Sequence, residues 1–192
     1  MARWARTDWL DHGLARLREA GPAAVTLEAV CASAQRTRGS FYHHFPTIEA
    51  FHLALADRWA DQNAEQIGAV AVATTTAGQA RKTLMRMTSG GDHRLEAAMR
   101  ALGQDYPAVL DRVRGIDDLR EGMLSDLTAA AYGLDETAAL GAARLFHSIH
   151  LGAQARRPDD IGGYGAEPFA LLILALERGL GRDGERTSPA QG

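Results

Sequence analysis

Lysine is almost missing from this 192-residue chain: Lys82 stands alone against 20 arginines. The imbalance points to a GC-rich coding sequence and says little about mechanism. Cysteine is nearly as scarce. Cys31 is the only one, which excludes an internal disulfide and suits a reducing compartment. Long apolar runs are lacking too. The longest, Phe169 to Leu176, falls far short of the roughly 20 residues that cross a bilayer. Arg3, Asp8, Asp11, Arg16 and Glu19 interrupt the first 20 residues, so no apolar leader core fits there. A cytoplasmic protein with no membrane partner is expected. The net charge of -3 excludes a uniformly basic, histone-like protein.

Catalytic signatures are also absent. There is no nucleophile elbow, metal-ligand set or cofactor fingerprint, so no enzyme activity, cofactor or metal is expected. Gly162-Gly163-Tyr164-Gly165 lacks the Lys-Ser/Thr and the preceding strand of a phosphate loop, and reads as a flexible connection. His147 and His150 are spaced i, i+3, but no nearby acid or cysteine completes a metal set. Core or pocket-lining roles suit them better.

Helical periodicity dominates, and no convincing strand alternation interrupts it. Leu10, Leu14 and Leu17 form one stripe of a helix over 4–20, which Gly21-Pro22 ends. Thr26 can cap a short second helix with Glu28 in its first turn, facing the positive end of the dipole. Leu27, Val30, Cys31 and Ala34 form its apolar face, so Cys31 reads as core. After a break at Gln35-Arg36, Thr37 caps a third helix running to about His44. Pro46 stops it, and Thr47 caps a fourth from Ile48 to about Gln66, with Phe51, Leu55 and Trp59 inward. The small-residue run Gly68–Gly78 reads as a fraying helix end or a loop, and marks the domain boundary. Further helices are expected near 77–88, 92–104, 106–131, 135–155 and 166–181, with a disordered polar tail over 182–192. Arg156-Arg157 with Asp159-Asp160 reads as a solvated helix end. Arg100, Asp117 and Arg120 suit either a buried polar network or surface pairing.

Two short helices with a tight turn between them are the helix-turn-helix pattern, whose second helix enters the major groove. Charge placement agrees. No acid lies between Glu28 and Glu49, while Arg36, Arg38, His43 and His44 fall inside that window. Residues 1–60 carry seven arginines against six carboxylates, so the motif is positive only locally.

The stretch TLEAVCASAQRTRGSFYHHFPTIEAF, and above all TRGSFYHHF, resembles the TetR family of bacterial one-component regulators over residues 8–55. LEAAMRALGQDYPAVLDRVRGIDDLR and the later HLGAQ are similar, more loosely, to one ligand-domain type of that family. The resemblance implies an all-α chain in two domains. Residues 1–66 would be a three-helix helix-turn-helix domain (motif about 27–46), and 67–181 a helical ligand-binding and dimerisation domain. It implies an effector-responsive repressor binding a palindromic operator as a homodimer. The alternative is a helical interaction protein of the same fold that has lost operator binding.

By resemblance, Thr37, Arg38 and Ser40 reach base edges and phosphates, and Gly39 lets the backbone approach DNA. Tyr42 and His43 contact phosphate with His44 beside them, while Phe41 and Phe45 hold the recognition helix on the core. Thr26, Arg36 and Thr47 complete the DNA-binding set. Two departures stand out. The family's turn commonly has Gly-Val where this chain has Gln35-Arg36. The family also favours lysine one residue after the cap of the fourth helix, where this chain has Ile48 and so is expected to lack one phosphate contact.

For the second domain, one stripe of the 135–155 helix carries Gly141, Leu145, Ser148 and Gly152, and its small residues allow another helix to approach closely. With Leu172 on the almost wholly apolar last helix, they imply a four-helix dimer interface. Trp59, Met85, Met99, Tyr106, Tyr132, Phe146 and His147 are candidate liners of an effector pocket.

Overall fold

The computed structural model describes residues 4–87, 92–157 and 160–186, and these contain α-helices and turns but no strand. In chain order the helices are α1 (Arg6–Ala20), α2 (Leu27–Ala34), α3 (Arg38–Tyr42), α4 (Ile48–Ala73) and α5 (Ala77–Arg86). They continue with α6 (His93–Asp105), α7 (Pro107–Tyr132), α8 (Glu136–Arg156) and α9 (Ile161–Arg186), and a 3-10 turn, Pro22–Val25, joins α1 to α2. The fold is all-α, as the periodicity implied.

Packing divides the chain into two compact units. Of the described residues, the first comprises those within 1–68 and 92–119, the second those within 69–91 and 120–192. Residues 92–119 therefore pack with the N-terminal helices, whereas chain order alone assigns them to the C-terminal domain. The reason is visible in the burial: Leu95, Met99, Leu102, Val109, Val113 and Ile116 belong to the same core cluster as Trp9, Leu17, Val30, Phe41 and Phe51.

Within the first unit, Gly13 faces α4 so closely that a Cβ there would lie 2.6 Å from Phe51 Cζ and 2.8 Å from Leu55 Cδ2. A side chain at that point would drive two buried residues off their rotamers. Of Arg100, Asp117 and Arg120, the first two join a partly buried network that takes in Glu96. Arg100 meets Asp117 at 2.7 and 2.5 Å and Glu96 at 3.0 Å, and Glu96 is buried. In the second unit α8 packs on α9, with Phe146 and Phe169 ring centroids 4.4 Å apart. Gly165 lies against Ala153, where a Cβ would sit 3.5 Å from its neighbour.

Three boundaries differ from the sequence reading. Helix α4 continues through Gly68 to Ala73 instead of stopping near Gln66. Helix α9 begins at Ile161, so Gly163, Tyr164 and Gly165 are helical and not a flexible connection. The cause is Asp160, whose carboxylate accepts from the Gly163 N–H at 3.1 Å and so caps the helix. Pro168 lies inside α9 and removes one backbone hydrogen bond without ending it. At the other end α9 reaches Arg186, so residues 182–186 are helix, while 187–192 of the expected tail lie outside the described residues.

His52 is a buried titratable group of the first unit, 3% exposed. Its Nε2 donates to the Val25 carbonyl at 2.9 Å, one residue before the α2 cap, and its ring stands edge-on to Tyr106 at 4.4 Å. Burial holds its pKa below the ordinary imidazole value, against opposing pulls from the Val25 carbonyl and the Glu49 carboxylate. The unfolded chain therefore takes up a proton near pH 6.5 while the native state does not, so stability falls as pH drops below that point. His12, lowered by burial and then by Arg16 with Glu19 opposing, acts in the same sense. Urea midpoints measured between pH 7.5 and 5.5 should decline, and His52→Gln should flatten part of that decline. An unchanged slope in the variant would remove His52 from this role.

Candidate nucleic-acid interface

Three threonines build the motif's frame. The Thr26 hydroxyl accepts from the Ala29 N–H at 3.3 Å, Thr37 from Ser40 at 3.2 Å and Thr47 from Ala50 at 3.1 Å. Each cap stabilises its helix by about 1 kcal/mol and fixes where that helix starts. For α3, five residues long, the start decides which side chains face outward.

The turn between α2 and α3 is made by Gln35, whose φ of 53° and ψ of 44° are left-handed. The Arg36 N–H bonds the Cys31 carbonyl at 3.0 Å and the Gln35 N–H bonds Ala32 at 3.1 Å, a Schellman ending. Here the departure from Gly-Val acquires a cost. The backbone needs a residue at positive φ, glycine meets that need without strain, and glutamine does so at a cost of about 1–2 kcal/mol.

The expected side chains gather on one surface. Thr37, Arg38, Gly39 and His43 are exposed, Tyr42 is 49% exposed, and Ser40 and His44 are half-buried. Beneath them Phe41 and Phe45 are fully buried, with Phe41 5.2 Å from Phe51 and 5.4 Å from Trp9. Thr26 and Thr47 are exposed at its margins.

Arg36 is half-buried, with its guanidinium over the Trp4 ring at 5.3 Å. Sequence reasoning missed this because Trp4 is more than thirty residues away. Ile48 is half-buried against the core, which accounts for an apolar residue where the family favours lysine. Glu28, read from sequence only as a partner of the helix dipole, accepts a hydrogen bond from Arg38 Nη2 at 2.6 Å. Cys31 is buried, and burial raises its thiol pKa, with Arg38 opposing.

The seven candidate pocket liners fall into two groups. Trp59 and Met99 are buried in the first unit's core, with Tyr106 packed against it. Tyr132, Phe146 and His147 are buried in the second unit, where Met85 is exposed. His147 Nδ1 lies 3.3 Å from Glu121. Of the candidate interface residues, Gly141, Leu145, Ser148 and Gly152 are exposed along one stripe of α8, and nothing lies within 4 Å of a Cβ placed on either glycine. Leu172 is half-buried, whereas its neighbours Leu171 and Leu174 are exposed.

A capped helix pair with an exposed, locally basic second helix held on an aromatic core is a helix-turn-helix of the DNA-binding kind. Residues 10–55 match the model for bacterial regulatory proteins of the tetR family. The helix-turn-helix segment is thus similar to that family, and the chain has the fold of solved TetR-family regulators. It is similar to SCO4454, a TetR-family transcriptional regulator from Streptomyces coelicolor. The TM-score is 0.69 at 20% identity, over 89% of this chain and 95% of that one. It is also similar to the reduced form of NemR from E. coli, with a TM-score of 0.64 at 18% identity, over 90% and 95%. For the ketosteroid transcriptional regulator KstR2 of Mycobacterium tuberculosis the values are 0.60 and 17%, over 91% and 96%. Among curated proteins, none matches the chain at a significant level. No helix among the described residues is long and apolar enough to cross a membrane.

The strained turn supplies a direct test. Gln35→Gly should raise stability by about 0.5–1 kcal/mol, the relief of strain being partly offset by a freer unfolded chain. Thermal unfolding of the two proteins measures it, and a lower midpoint in the variant would refute the account of the turn.

Proposed function

We propose that the protein is a cytoplasmic transcriptional repressor, not an enzyme, that binds a palindromic operator as a homodimer and responds to a small-molecule effector. The observation that carries this reading is the outward presentation of Thr37, Arg38, Gly39, Tyr42 and His43 on one short capped helix, with no acid between Glu28 and Glu49. In a two-fold dimer the paired recognition helices would stand about 34–36 Å apart, one turn of B-DNA. Arg38, in the first turn of α3, would give the base contact, an arginine fork on guanine O6 and N7. Tyr42 and His43 would hold phosphate and set the register.

Dimerisation through α8 and α9 is supported by the exposed stripe of small residues and by Leu145, Leu171 and Leu174, which are 55%, 59% and 39% exposed. Exposed leucines along two adjacent helices leave apolar surface that a second copy would cover. The effector would bind in the second unit, near Tyr132, Phe146 and His147. An effector that prefers a conformer with another helix spacing would lower operator affinity, and operator would lower effector affinity by the same factor.

Operator selected from random DNA should bind with an affinity that falls steeply with salt, because neutralised phosphates release counterions. Tyr42→Ala should weaken operator and random duplex about equally, by roughly tenfold. A flat salt dependence, with no sequence recovered, would favour a helical interaction protein of this fold that has lost operator binding.

Leu145→Glu tests the dimer. Its side chain is more than half exposed, so the folded chain tolerates the charge, whereas a dimer would bury it unpaired. Sedimentation should show dimerisation weakened by about a hundredfold or more. An unchanged dimer would move the interface off α8.

A further inference from the structure

Arg38 has a partner within the motif itself. Its Nη2 donates to Glu28 Oε1 at 2.6 Å, joining the first turn of α2 to the first residue of α3 across the turn of the motif. The two side chains remain 63% and 65% exposed.

Three ordinary explanations account poorly for the pair. An isolated exposed ion pair adds little to stability. The α2 dipole interaction needs only an acid in the first turn, with no partner on α3. For affinity as such, a carboxylate beside a polyphosphate is a cost, since it cancels one of the few positive charges on this surface. What the pair does change is the freedom of Arg38. Arginine is among the side chains with most rotamer entropy to lose, and that loss lowers both affinity and selectivity unless it is met beforehand. The guanidinium has five N–H donors, so one bond to Glu28 leaves four for a second acceptor. A fork fixed by a neighbouring carboxylate is the arrangement a two-acceptor base edge requires.

We infer that Glu28 is a positioning residue that orients Arg38 to read one guanine in each half-site. This rests on the operator-binding reading above and adds to it a residue from α2, outside the recognition helix. Glu28 gives up non-specific affinity and in return sharpens discrimination at a single base pair.

The test is binding-site selection from a random duplex pool with the full chain. It compares wild type, Glu28→Ala, Glu28→Gln, Arg38→Ala and the double alanine variant, with melting temperatures and affinity for a non-specific duplex alongside. Wild type should select a symmetric site. Glu28→Ala should lose preference at the same base pair per half-site as Arg38→Ala, by about tenfold in discrimination. Its melting temperature should barely move, and its non-specific affinity should be unchanged or higher. Glu28→Gln, which keeps an acceptor oxygen, should restore part of the preference. The double variant should match Arg38→Ala alone, because the two residues act as one unit.

A wild-type consensus retained by Glu28→Ala but lost by Arg38→Ala would overturn the positioning role and leave Arg38 reading alone. Loss of preference at a different base pair would overturn it too, making Glu28 a reader in its own right. If wild type selects no sequence, the operator-binding reading fails and this inference falls with it.

Discussion

The recognition surface depends on two phenylalanines. Helix α3 has five residues, too few to be stable in isolation, since a single turn costs more in backbone order than its hydrogen bonds return. Phe41 and Phe45, one turn apart, fix it by entering a box with Trp9 and Phe51 whose ring centroids lie 4.9–5.4 Å apart. Every outward residue of the motif takes its position from that inward pair. The threonine caps set where each helix begins, but the aromatic box sets which way α3 is turned.

Around this anchor the motif carries local strain and local constraint together. Gln35 holds a left-handed backbone that glycine would adopt freely, and Arg36 next to it packs its guanidinium on Trp4. His52 reaches from α4 to the Val25 carbonyl, just ahead of the α2 cap. The entry to α2, the turn and the start of α3 are thus each tied by a side chain from elsewhere in the first unit or the motif. Such ties suit a surface that must keep its shape while its outward groups stay exposed.

What was legible in the sequence follows the range of the interactions involved. The caps at Thr26, Thr37 and Thr47 could be placed because each acts on an amide three residues on, and the inward faces because helical spacing reveals them. Partnerships over longer separations were hidden: Arg36 with Trp4, Arg38 with Glu28, Ile48 with the core. The cap at Asp160 was hidden for another reason. Asp160 was read only as part of a solvated helix end, and the glycines after it as a flexible connection. A capping carboxylate and a polar helix end have nearly the same composition, and geometry alone separates them. The packing of 92–119 with the N-terminal helices was likewise invisible, since a helix's apolar stripe does not say which core it joins.

The stacking of Arg36 on Trp4 has an optical consequence. The chain has three tryptophans, Trp4, Trp9 and Trp59, and all lie in the first compact unit. Intrinsic indole emission is therefore silent about the second unit, whose melting must be followed by far-ultraviolet dichroism or a probe attached there. Trp9 is buried against Phe41 of α3, Trp59 is buried further along α4, and Trp4 lies under a cation at the turn. Fluorescence of this protein is a built-in reporter of the first unit, with Trp4 the chromophore in contact with Arg36.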